Sequence, residues 1–252
     1  MINTSVATEF HRLEAPQNLH ERVTRVLALR VIQAERGSER VVFPNEAELC
    51  HQLGVSRSIL REAVKVLADK GMIEVRPRAG TCSRPRSEWN QLDPDILAWQ
   101  AELPPDAALL RDICEVRLAF EPTASGFAAL RATADEVAEI EGCLEQRQSR
   151  IAAARPEEAV DLDLRFHTAV VAASHNALFR QLNAIIREPF RAALSYTVRL
   201  PASAALEVEG YRALFQAIRG HDPLAARSAS EDIVGLAMLG VEQVIRAQEH
   251  GR

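Results

Sequence analysis

The sequence predicts a mainly α protein in two parts. A small head, residues about 1–86, pairs short helices with a β-hairpin, and an all-α antiparallel six- to seven-helix bundle fills about 106–252. A connector, residues about 87–105, joins them. Three observations carry this. Apolar residues recur at helical spacing through almost all of the chain after residue 106, with no useful strand-like alternation. Two short helical patterns between Pro44 and Glu62 flank a single glycine, Gly54. The charge is also divided: residues 1–88 hold 14 Lys+Arg against 11 Asp+Glu, and residues 89–252 hold 16 against 24. A net charge of −5 thus conceals a basic head on an acidic body, the pattern of a small nucleic-acid-binding module on an acidic carrier.

Composition excludes several classes. A chain of 252 residues allows one or two domains, and 47% apolar content with 5% aromatics predicts aliphatic cores. Cys50, Cys82, Cys114 and Cys143 form no CxxC pair, which argues against a zinc cluster or a redox motif. They read as ordinary thiols in a reducing cytoplasm. No basic-then-apolar leader and no run of about 18 apolar residues is present, so a cytoplasmic protein without a membrane span is expected.

In the head, residues 1–17 lack a period and read as a loose arm. Val23, Val26, Leu27, Arg30 and Val31 then space a helix from about Leu19 to Glu35, ended by Gly37 and Ser38. Asn45 is placed to cap the next helix, with Glu48 where a capping box wants an acid, and Gly54 to end it. Ser56 caps a further helix running to about Lys70. Leu60, Val64 and Leu67 make its apolar stripe; Arg57, Arg61 and Lys65 make a cationic one. This is either a helix-turn-helix or an amphipathic hairpin with a solvated basic face. Two alternating runs around Pro77–Gly80 then predict a β-hairpin, a wing with Arg76, Arg78 and Arg84 at or beside its tip.

The run from Phe43 to Thr81, FPNEAELCHQLGVSRSILREAVKVLADKGMIEVRPRAGT, resembles the winged helix-turn-helix domain of the GntR family of bacterial regulators. The resemblance implies a homodimer on palindromic double-stranded operator DNA, with the second helix in the major groove and the wing tip near the minor groove. It assigns DNA contacts to Ser56, Arg57, Ser58 and Arg61, and the wing tip to Gly80 beside Arg78. The chemistry agrees, since arginine presents a planar fork to guanine or phosphate and serines at a helix start offer hydroxyl and N–H groups to phosphate. Lys65 is a phosphate contact or merely solvated. Many relatives of the FadR subfamily carry arginine where this chain has Ala47, so that contact is expected to be missing.

In the connector, Asp93-Pro94 and Pro104-Pro105 mark boundaries, and Trp89 and Trp99 are expected to anchor head to body. The run WNQLDPDILAW resembles the connector of GntR regulators of sugar-acid operons, the galactonate type among them.

The body reads as helices near 106–130, 133–153, 156–174, 176–199, 203–220 and 222–248, with Pro122 and Pro189 expected to kink or break two of them. Val234, Leu236, Met238, Leu239, Val241 and Val244 leave the last helix apolar on most sides, suggesting a dimer seam. Asp163 and His167, at i and i+4, share one helix face. That spacing suits a divalent metal or an intrahelical hydrogen bond.

The segments EVRLAFEPTAS at 115–125, DLRFHTAVVAASHN at 163–176 and YRALFQAIRGHDPLAAR at 211–227 resemble the FCD-type ligand-binding domain of the same family. The resemblance implies a small carboxylate effector in the bundle centre, often on a metal such as Zn²⁺. Two further histidine ligands of metal-binding relatives fall here on Tyr211 and Ile233, so the metal site, Asp163 and His167, is incomplete. Asp232 and His221 lie nearby in sequence but out of phase. Effector recognition then rests on Arg117, Asp163, His167 and Tyr211. Arg117 is either a bidentate carboxylate clamp or a salt-bridge partner of Glu115, Glu121 or Asp163. Arg187, Arg191 and Tyr196 are weaker candidates, and His175 and Asn176 read as a helix boundary.

The reading that follows is a ligand-responsive transcriptional regulator, a repressor of a catabolic operon released by a small organic acid such as a sugar acid. The alternative is a metal-dependent hydrolase using Asp163 and His167, which lacks a full ligand set and leaves the basic head unexplained.

Overall fold

The structure, a computed structural model, describes residues 19–76, 80–104, 106–152, 156–197 and 204–250. They form two compact units, divided between Asn90 and Gln91. Arg78 lies outside the described residues, as do the side chains of Tyr196 and Val244.

The first unit begins with α1 (Leu19–Arg36), which packs on α3. Its buried face is Val23, Thr24, Leu27, Ala28, Val31 and Ile32. Val26 and Arg30 were expected on that face and are exposed; a real helix advances 100° per residue, and Thr24 and Ala28 fill the phase instead. Helix α2 (Glu46–Leu53) is capped by Asn45, whose side chain accepts from the Glu48 N–H at 3.0 Å. The Glu48 carboxylate accepts from Gln52 Nε2 at 2.8 Å, part of a helical i,i+4 pair. Gly54 adopts the left-handed conformation, φ 64°, that closes α2. Ser56 then caps α3 (Arg57–Asp69), accepting from Ile59 N–H at 3.4 Å. Leu60, Ala63 and Leu67 are buried, while Val64 stays half-buried, so the stripe is centred one residue earlier than expected.

Strands β1 (Ile73–Arg76) and β2 (Gly80–Ser83) pair antiparallel, Ile73 opposite Ser83 and Arg76 opposite Gly80. Val42 bridges Cys82 on the far edge. Gly71, at φ 78°, turns the chain from α3 into β1 so closely over Glu88 that a Cβ would collide with its carbonyl oxygen. Trp89 is buried in this unit and donates its indole N–H to the Arg84 carbonyl at 3.0 Å.

The second unit starts with α4 (Pro94–Ala101), capped by Asp93 and packed on α8 (Ala177–Thr197). Trp99 is buried on α4. Trp89 is bonded within its own unit, and Trp99 sits on a helix docked into the bundle.

Helix α5 (Ala107–Arg131) is the hub, packing against α7 (Pro156–Ala173), α8, α9 (Ala204–Arg219) and, most extensively, α10 (Pro223–His250). Helix α6 (Ala134–Ala152) covers α7 and α9. Neither Pro122 nor Pro189 breaks its helix; α5 and α8 run through them. Three apolar clusters result. One contains Ile140, Phe166, Leu214, Phe215, Ile218 and Ile233; a second contains Leu110, Ile113, Leu164, Phe190 and Val241; a third contains Phe120, Ala124, Val171 and Ile186. Val234 and Val241 are buried inside the unit rather than on a seam, while Leu239 is 57% exposed. Among the described residues no helix is long and apolar enough to cross a membrane.

Candidate functional site

In the head, Ser56, Arg57, Ser58, Arg61 and Lys65 are all exposed along α3. The N-cap geometry at Ser56 starts the helix and leaves the serine hydroxyls paired to one another, 2.9 Å apart, at its N-terminal end. The arginines do not stand alone, however. Glu46, at the start of α2, places Oε2 2.9 Å from Arg61 Nε and Oε1 3.7 Å from Arg57 Nε. The hydrogen bond from Arg61 holds the Glu46 carboxyl below its ordinary value.

The hairpin cations are likewise paired. Arg76 Nη2 and Arg40 Nη2 each lie 2.8 Å from the Glu74 carboxylate, and Arg84 pairs with Glu88. Gly80, at φ 82°, begins β2 with open space where a Cβ would stand. These exposed pairs are weak in water.

In the body, helices α5 to α10 each contribute a side chain to one buried cluster. Arg117 and Glu121, one turn apart on α5, are both buried. Arg117 Nε donates to Glu121 Oε1 at 2.5 Å and Nη2 to Oε2 at 3.1 Å. The guanidinium carbon stacks 3.4 Å from the Phe190 ring centre, on α8. Arg117 Nη1 is buried without a hydrogen-bond partner.

His167, on α7, sets Nδ1 3.0 Å from Glu121 Oε2 and Nε2 3.0 Å from the Tyr211 hydroxyl on α9. The same hydroxyl hydrogen-bonds Asp163 on α7. Asp163 Oδ1 accepts from Arg147 Nε of α6 at 2.6 Å, and that guanidinium lies 4.0 Å over the Tyr211 ring. Ile233 of α10 closes the cluster with hydrocarbon.

The electrostatics follow from two buried ion pairs. Burial alone would push the Glu121 carboxyl up, but the charges of Arg117 and His167 and their hydrogen bonds outweigh it and hold it at about 2. For Asp163 burial again pushes up, and Arg147, His167 and the Tyr211 hydroxyl carry it below its ordinary value. Each carboxylate is thereby kept ionised in an apolar layer.

Comparison with known proteins decides the family. Residues 30–82 match the bacterial regulatory proteins of the gntR family, and residues 112–235 match the FCD domain. The galactonate operon transcriptional repressor of Escherichia coli K12 is 34% identical over 204 residues, covering 80% of this chain and 88% of its own. The chain belongs to the GntR family of transcriptional regulators.

A second relative, the putative L-lactate dehydrogenase operon regulatory protein of E. coli K12, is 32% identical, covering 85% of this chain and 83% of its own. A solved structure of Lar from Listeria monocytogenes shares the fold at 15% identity, with a TM-score of 0.56 over 92% of this chain and 99% of that one. This GntR regulator binds DNA and is not an enzyme, so the hydrolase alternative falls.

The core corrects several expectations. Asp163 and His167 neither bond directly as a pair nor form part of a metal-ligand group; among the described residues no set of three His, Cys, Asp or Glu side chains is placed to hold an ion. Tyr211 instead joins them through its hydroxyl. Arg117 does not present a free fork, because Glu121 occupies Nε and Nη2; only its Nη1 edge remains. Arg187 is exposed, and Arg191 is bound to Asp161 and Glu188. Asp232 is exposed beside buried Ile233, and His221 Nδ1 lies 2.9 Å from the Ala129 carbonyl. His175 sits at a joint near Glu136 and Asn176 caps α8, the helix boundary expected of them.

Sequence reasoning missed Arg147. Its signal was phase: Ile140, Cys143, Leu144 and Arg147 fall at i, i+3, i+4 and i+7, on the buried stripe of α6.

Proposed function

We propose that this regulator acts in the cytoplasm as a homodimer on a palindromic operator, represses a catabolic operon, and is released by a small organic acid of the sugar-acid class. The DNA contacts are Ser56, Arg57, Ser58 and Arg61, with Lys65 on phosphate and Arg78 and Gly80 at the wing. The names of the two relatives refer to galactonate and L-lactate operons, whose acids carry a carboxylate beside a hydroxyl.

The observation that carries the effector site is Arg117 Nη1. It is a charged N–H group, wholly buried, with no acceptor. A buried donor left unsatisfied is costly, and a ligand carboxylate oxygen supplies what it lacks. Tyr211 and His167 stand alongside as hydroxyl and imidazole partners for a hydroxy acid. With Tyr211 and Ile233 where metal-binding relatives have histidine, two ligands at most remain, too few to hold Zn²⁺ firmly. The site therefore works without a metal. Ligand binding shifts the population of dimer states that fit the half-site spacing.

A thermal-shift panel of aldonic, uronic and 2-hydroxy acids, followed by operator release in gel shifts, tests this. One class should raise Tm and release DNA, with chelator present or absent. Arg117→Ala should lose both effects while keeping basal operator binding. Full effector response in Arg117→Ala would overturn the assignment.

A further inference from the structure

Metal-binding FCD domains need a carboxylate lone pair and imidazoles converging on one point. The donor set here does not fit. The Asp163 carboxylate is occupied by Arg147 Nε at 2.6 Å; the hydroxyl of Tyr211 bridges Asp163 and His167; Ile233 offers no ligand at all. Arg147 itself is buried, stacked at 4.0 Å on the ring that supplies the bridging hydroxyl.

We propose that the Arg147 guanidinium is the resident cation of this core, standing on Asp163 where a divalent ion would sit. Arginine suits the task. It is always charged, and it is more weakly hydrated than an ammonium ion. Its planar face stacks on an aromatic ring while its edge donates to a carboxylate. A divalent ion would have to displace that guanidinium and leave it buried and unpaired, which opposes binding. The arrangement also orients Tyr211: with Arg147 on its face and Asp163 accepting from its hydroxyl, the phenol oxygen turns a lone pair to His167 Nε2.

This differs from a merely vacant site. A core that has only lost two histidines regains metal when they are restored. A core whose carboxylate is held by arginine does not, until the arginine is removed as well.

The test uses tag-free full-length chain titrated with Co²⁺, read by the d–d absorption of a bound ion and by the Zn²⁺-dependent change in Tm. The wild type and Tyr211→His/Ile233→His should show neither signal. Adding Arg147→Met to that pair should create a 1:1 site, abolished by His167→Ala and by chelator, with affinity at least 100-fold above that of the double variant. Equal binding by the double and triple variants would overturn the proposal, since Arg147 would then not oppose the ion. So would a stoichiometric, His167-dependent metal in the wild type, or a folded triple variant that binds none. If the triple variant folds only with Zn²⁺, that outcome supports the proposal. If it does not fold at all, Arg147→Gln in the same Tyr211→His/Ile233→His background decides: it should bind Co²⁺ at least 100-fold more tightly than the double variant, and no gain would overturn the idea. None of these readouts depends on the effector or on DNA, so failure here is separable from failure of the effector reading.

Discussion

Glu46 at the first turn of α2 and Arg61 on the exposed face of α3 are joined by a hydrogen-bonded ion pair, Oε2 to Nε at 2.9 Å. The second carboxylate oxygen faces Arg57. One acid on the first helix of the motif thus sits beside two exposed arginines of the second.

Glu46→Gln should raise affinity for non-specific DNA several-fold and steepen its salt dependence, because one opposing charge is lost and more counterions are released. Operator discrimination should fall, since the arginines lose their fixed geometry. Titrations on operator and scrambled duplexes over a range of salt measure both. An unchanged ratio of the two affinities would show that Glu46 has no part in positioning the arginines.

Arg57→Ala and Arg61→Ala should each lower operator affinity roughly 10- to 100-fold if they read bases. Both side chains are exposed, so thermal stability should hold. Gel-shift titration beside a melting curve separates the effects; retained affinity in both variants would remove α3 from the major groove.

Arg76→Ala and Arg84→Ala should weaken binding to all sequences and flatten the salt slope by about one unit each if each touches a phosphate. Because Glu74 and Glu88 pair with them in the free protein, Glu74→Gln should act in the opposite direction. A change of sequence preference at constant salt slope would mean that the hairpin reads bases.

Glu121 contributes to the acid stability of the core, beside Asp163. Its folded value, about 2, lies below its ordinary 4.5. A depressed carboxyl contributes stability that is complete above the unfolded value and is lost as pH falls from about 4.5 towards 2. Urea midpoints should therefore drop through that window. Glu121→Gln should cost about 3–5 kcal/mol at neutral pH, because Arg117 is left buried without its counter-charge. A variant as stable as the wild type at pH 7 would refute the ion pair.

Gly71→Ala should destabilise the first unit by about 1–3 kcal/mol, since φ 78° disfavours a side chain and the Glu88 carbonyl blocks the space. Urea unfolding of the full chain, followed at Trp89, reads this directly; an unshifted midpoint would contradict the close approach.

What was legible in the sequence is what local chemistry decides. Asn45, Gly54 and Ser56 marked the ends of α2 and α3 because capping is settled within four residues, and helical spacing gave the bundle because burial repeats every turn. Asp163 and His167 were visible as an i,i+4 pair on one helix face, and Arg117 was singled out through the family resemblance. The pairing of these groups was not. Arg117 is 50 residues from His167 along the chain, and Arg147 belongs to another helix altogether; only packing of α5, α6, α7 and α9 brings them together. The sequence shows that charged residues fall on buried faces, and elementary electrostatics then demands a partner for each. Which partner, Glu121 for Arg117 and Asp163 for Arg147, is a matter of distances that local periodicity does not contain. The same holds for Glu46, whose i to i+15 reach to Arg61 exists only because Gly54 folds one helix across the other.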